Sequence, residues 1–133
     1  MALTKDRNTP MTDGDVVPTP VAAGVEIFTG ALVVANASGY AAPGSTATGL
    51  IYLGRADSHV DNTAGAAGDR QVLVRRGKAF KWKNSGSDPV GQAALGKTCY
   101  VVDDETVSAT DGAGTQSAAG TVIQIDANGV WVE

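Results

Sequence analysis

Glycine interrupts this chain so regularly that no stretch keeps apolar residues at helical spacing long enough for a multi-turn amphipathic helix. Seventeen glycines and five prolines are spread along 133 residues. The apolar residues between them are small or β-branched, 21 Ala and 16 Val against 6 Leu, 4 Ile and 2 Phe. Valine is stiff at χ1 and suits a pleated surface better than a helix. The expectation is an all-β fold of one domain, a small β-sandwich or barrel.

The order of segments sets the expected organisation. Residues 1–24 are rich in Thr, Asp and Pro, and Pro18 and Pro20 push their predecessors towards extended backbone, so they read as an extended N-terminal arm before a single β domain, 25–133. Val25 to Ala35 reads as the first strand region, broken at Gly30, with a short strand restarting at Tyr40. Gly49 to Ala56 is a run of β formers between glycines, the pattern of a strand buried on both faces, and Asp57 to Asp69 reads as a flexible loop. Gln71 to Lys83 puts Val72, Val74, Phe80 and Trp82 on one parity, a half-buried strand or hairpin, with Gly77 where a bulge, bend or turn falls. Gly91 to Gly96 allows at most one helical turn, and Thr121 to Glu133 reads as a hairpin joined through Asn128-Gly129. An internal echo runs through these segments: Gly30-ALVVANASGYAA, a loop and Gly49-LIYLG match Gly96-KTCYVVDDETVSA, a loop of different length and Gly120-TVIQI.

Residues that could do chemistry are few and scattered. Asp103-Asp104-Glu105 are explained by a solvated turn between two short strands. The sole histidine, His59, has Asp57 and Asp61 nearby but no second histidine or cysteine, so an exposed loop residue is preferred to a metal ligand. Cys99 sits in an apolar strand and reads as a small core residue. The glycine runs near Gly65 and Gly112 lack the Lys-Ser/Thr and helix of a phosphate cradle. No catalytic residue, metal or cofactor is therefore expected, and the chain is read as a non-enzyme. A lone cysteine suits a reducing cytoplasm, and the N-terminus lacks the apolar core of a signal peptide or a membrane span.

Charge is unevenly placed. Arg70, Arg75, Arg76, Lys78, Lys81 and Lys83 fall within 14 positions that hold no acid, which leaves four basic against 14 acidic residues elsewhere. The net charge of −4 argues against nucleic acid as partner. Between a solvated face and a docking surface for an acidic protein, the second is preferred, with Arg75, Arg76, Lys78 and Lys81 as its electrostatic contacts. A fibre or carbohydrate-binding β module would expose aromatic platforms, whereas Phe80, Trp82 and Trp131 read as core.

Several short patterns, taken in order, carry a resemblance. Gly30 to Val33, Gly39-Tyr40, Thr46 to Leu50 and Val72 to Phe80, the last with spacing that departs by one residue, are similar to strands of bacteriophage head-decoration (capsid cement) proteins. Asp6 to Pro10, Arg75 to Gly77, Val102 to Val107 and Gly129 to Val132 resemble those of Mu-like transposable phages and prophages. The resemblance implies a β-tulip-like fold and a homotrimer on the outer capsid surface of the virion, where three major capsid protein subunits meet, made in the host cytoplasm and without catalytic residues. On that reading the arm binds the capsid, through Leu3, Met11, Val16 and Val17.

Overall fold

Short runs of β-branched residues between glycines give short strands. The computed structural model describes residues 1–133. In chain order the strands are β1 (Val16–Pro20), β2 (Glu26–Ile27), β3 (Leu32–Ala35), β4 (Ala41–Pro43), β5 (Ile51–Ala56), β6 (Val60–Asp61), β7 (Gln71–Arg75), β8 (Phe80–Asn84), β9 (Thr98–Val101), β10 (Thr106–Ser108), β11 (Ala118–Asp126) and β12 (Gly129–Val132). Helix is confined to one 3-10 turn at Gln92–Ala94, and no helix is long and apolar enough to cross a membrane. The fold is all-β and barrel-like.

Two five-stranded units follow one plan. The first has the order β1-β7-β5-β3-β4, and the second is a closed barrel, β8-β12-β11-β9-β10. Residues 30–56 correspond to 96–122 at a constant offset of 66, because the registers coincide. Leu32↔Arg55, Val33↔Gly54 and Val34↔Tyr52 match Thr98↔Thr121, Cys99↔Gly120 and Tyr100↔Ala118, and both ladders skip one residue, Leu53 and Ala119. Val34↔Ala42 and Ala35↔Ala41 match Tyr100↔Ser108 and Val101↔Val107. Further out, Ala56↔Val74 and Val74↔Val17 match Val122↔Val132 and Val132↔Phe80. Even the parallel closure recurs, Val21 on Ala41 and Asn84 on Val107.

The echo is thus larger than its sequence trace and differently aligned. Gly54, not Gly49, is the counterpart of Gly120, and the intervening loops are equal in length, Ala42 to Tyr52 and Ser108 to Ala118. Gly54 and Gly120 share one physical requirement, a backbone passing where a side chain would begin. A Cβ on Gly54 would collide with the Arg75 carbonyl, and one on Gly120 would lie 2.6 Å from the Glu133 carbonyl oxygen.

Strand β3 lies between the two cores and is buried on both faces. Ala31 and Val33 join the first core with Val21, Ile27, Ala41, Ala56, Val60, Val72 and Val74, while Leu32 and Val34 join the second with Phe80, Trp82, Val90, Cys99, Val101, Val122, Val130 and Val132. Double burial was expected of Gly49 to Ala56; there, Ile51 is 62% exposed. The rest of the run does pack on both sides, Leu50 and Tyr52 against the second core and Leu53 and Ala56 in the first, so only the start of the strand is left uncovered.

Other expectations are corrected by pairing. The arm ends at Asp15, since β1 pairs with β7 over its whole length and Val21 and Ala22 are buried. Arg76 N–H bonds the Asp15 carbonyl and Val21 N–H the Arg70 carbonyl, so odd positions of β1 face β7 and Pro18 and Pro20 lie on the outer edge, where a missing N–H breaks no bond. Strands β7 and β8 do not form a hairpin; they belong to different units, and Gly77, at φ +69°, turns the chain between them. The segment after Asp57 is anchored by β6 and by buried Asn62, whose amide donates to the carbonyls of Ala22 and Ala66. The C-terminal hairpin forms, but Asp126 pairs with Gly129, so the turn is Ala127-Asn128 and Gly129 begins β12.

Candidate functional surfaces

Residues 1–15 are exposed throughout. Leu3 is 72% and Met11 98% exposed, and the segment meets the body at Asp15, whose carbonyl takes the Arg76 N–H at 2.8 Å. Val16 and Val17, grouped with them from sequence, are strand residues of β1 and are held by β7. Two of the four apolar arm contacts therefore belong to the folded body, and Leu3 and Met11 remain on the exposed segment.

The fold divides the basic run and neutralises part of it. Asp57 accepts from Arg55 at 2.7 Å and from the Arg75 Nε at 2.9 Å, and these two guanidinium groups hold its carboxyl below the usual range. Lys81 lies 3.8 Å from Asp126 and 5.6 Å from the centre of the Trp131 ring. Lys83 bonds Glu105 at 2.8 Å, which raises its pKa. Of the four proposed docking cations, only Arg76 and Lys78 are exposed without a carboxylate partner. Acids distant in sequence return to the strands, which a local count of charge does not register.

His59 finds neither Asp57 nor Asp61. Its Nε2 lies 2.7 Å from Glu26 Oε2, and its ring stacks on Phe28 at 5.1 Å between centroids. Asp61 instead accepts from the Thr63 amide and hydroxyl. No three His, Cys, Asp or Glu side chains come together in a group that could hold a metal ion. The Phe28–His59 stack was not visible in the sequence, because it depends on β2 pairing with β6 across 33 residues. Phe28 is 57% exposed and borders a shallow depression with Asp104 and Glu105. The acidic turn does connect β9 and β10. It also packs on the first unit, the Asp104 carbonyl accepting the Leu32 N–H at 2.7 Å, and partial burial with Asp103 alongside raises the Asp104 pKa.

Cys99 is buried, as expected, and Phe80 and Trp82 are core. Trp131 is not; it is half-buried on the outer side of β12, while Val130 and Val132 point inward. Burial pushes the Cys99 thiol up to about 11 and the Tyr52 hydroxyl up to about 12, from ordinary values of 9.0 and 10.0. Both groups are neutral in the fold, so the stability they confer is fully present below the ordinary values and is lost as pH rises through the raised ones. The expected result is an unfolding midpoint that is insensitive to these groups up to pH 9 and falls between pH 9 and 12. Cys99 is expected to react with a disulfide reagent at pH 8 only as fast as the protein unfolds. Fast modification of the native protein would contradict the burial.

Comparison with protein-family models, curated proteins and solved structures returns no match for this chain.

Proposed function

We propose that this chain is a structural virion protein that binds the outer surface of a phage capsid and stabilises the shell by clamping neighbouring major capsid subunits. The observation that carries the reading is the exposed segment 1–15, with Leu3 and Met11 uncovered, on a β body held together by two packed cores. Such a segment gains buried area and backbone hydrogen bonds only when it orders on a partner. Arg76 and Lys78, next to its point of attachment at Asp15, add positive charge for an acidic surface. Self-association as a homotrimer, non-enzymatic action, and synthesis in the host cytoplasm belong to the same reading.

Deletion of residues 1–14 tests it. Removing a segment that buries nothing is expected to change unfolding free energy by no more than about 1 kcal/mol. Affinity for undecorated phage shells is expected to fall at least tenfold, about 1.4 kcal/mol. Undiminished binding by a truncated protein that melts normally would remove the proposal. A carbohydrate-binding module is the second reading, favoured by the exposed Phe28 stacked on His59. Binding of oligosaccharides that Phe28→Ala abolishes would select it.

A further inference from the structure

The two units share a ladder but not a covering. In the second, Phe80, Trp82 and Val101 are sealed by the outer face of β3 and β5. Leu32 and Val34 enter their core, the Arg55 guanidinium lies 5.1 Å from the Phe80 ring centre, and Trp82 Nε1–H donates to the Tyr52 hydroxyl at 3.1 Å. In the same register of the first unit stand Val17, Thr19 and Ala35. All three are only half-buried, and none belongs to the first core. Conversely, the positions matching Leu32, Val34 and Tyr52 on the second unit are Thr98, Tyr100 and Ala118. Thr98 and Ala118 are exposed and Tyr100 is half-buried.

The uncovered surfaces differ from the covered ones in side-chain size. Val17, Thr19 and Ala35 are smaller than Phe80, Trp82 and Val101; on the opposing face Thr98 and Ala118 are smaller than Leu32 and Tyr52, and Tyr100 alone is larger than its counterpart Val34, so it is the one side chain that projects. We infer that the chain associates with a second copy head to tail, Tyr100 of one copy seated against Val17, Thr19 and Ala35 of the next, repeating between copies the contact that joins the units within one. Each copy then presents one donor face and one acceptor face. Contacts of this heterologous kind close into rings or extend into filaments, according to the rotation they impose. The inference stands on the internal repeat and is independent of shell binding.

Cross-linking distinguishes this arrangement from others. Cys99 is first replaced by valine, the residue at the matching position, Val33. Thr19→Cys and Tyr100→Cys are then made separately in that background. Under oxidation the mixture of the two variants is expected to yield a disulfide-linked dimer, and neither variant alone should. The unsubstituted protein is expected to show a mass that rises with concentration in sedimentation, and Thr19→Arg to weaken association at least tenfold with an unchanged melting temperature. A protein monomeric at millimolar concentration would overturn the inference, as would cross-links in a single variant, which indicate a two-fold contact. Shell binding by a monomer would leave attachment through residues 1–15 standing, while this inference and the homotrimer fell together.

Discussion

Replacing Gly54 with alanine is expected to lower the unfolding free energy by about 3–5 kcal/mol, combining overpacking against a neighbouring strand with an unfavourable backbone angle. Gly54 has φ +145°, which L side chains rarely adopt, and its missing Cβ would collide with the Arg75 carbonyl oxygen. The obstacle is backbone, so no rotamer change relieves it. β7 must move away from β5, and with it the Arg75 side chain that shares Asp57 with Arg55. Gly120 makes the matched comparison. Its Cβ would meet the carbonyl of Glu133 at 2.6 Å, and Glu133 is held to Thr121 by two backbone hydrogen bonds, but the φ of Gly120 is not positive, so the cost is the contact without the backbone strain. Gly120→Ala is expected to cost about 1–3 kcal/mol. Urea midpoints at an unchanged m-value measure both. A loss under about 1 kcal/mol for Gly54→Ala, or equal losses at the two sites, would refute the close-approach argument.

Trp82→Ala is expected to cost about 3–5 kcal/mol, the range for removing a buried aromatic ring. Trp82 fills the second core and holds the first unit through the Tyr52 hydroxyl. Trp82→Phe separates the two contributions. It retains much of the ring and is expected to cost about 1–3 kcal/mol, since a partly buried hydroxyl loses its donor. The alanine variant is also expected to melt less cooperatively, because Leu32, Val34 and Tyr52 lose their largest partner across the boundary between units. A single sharp transition with little loss of stability would show that the boundary does not depend on this ring.

The all-β character was legible because glycine spacing and valine content act locally. The repeat was only partly so. Between residues 30–56 and 96–122 the units share Gly30, Ala47 and Gly54 and nothing else, so the echo surfaced in three strands and slipped by five positions, from Gly54 to Gly49. What the units hold in common is register and burial, which tolerate replacing Val33 by Cys99 or Ala56 by Val122. Strand β1 was hidden by its prolines. They signal an arm unless one knows that they fall on the unpaired side of an edge strand. The exposed arm segment was visible as composition, whereas the fate of the basic run was not. Asp57 and Asp126 reach Arg75 and Lys81 only after the ladders form.

The pairing of β1 with β7 also decides how the body bears load. If residues 1–15 are gripped by a large assembly, tension enters the fold at Asp15 and is passed directly into a strand laid alongside β7 over five paired positions. A pull along that strand shears its hydrogen bonds together instead of peeling them one after another. The bridge from Val21 to Ala41 then anchors the far end of the strand to the opposite edge of the same sheet. A tether loaded along the strand in this way shares the tension among all the paired positions at once, whereas the same bonds arranged as a zipper would take it one at a time.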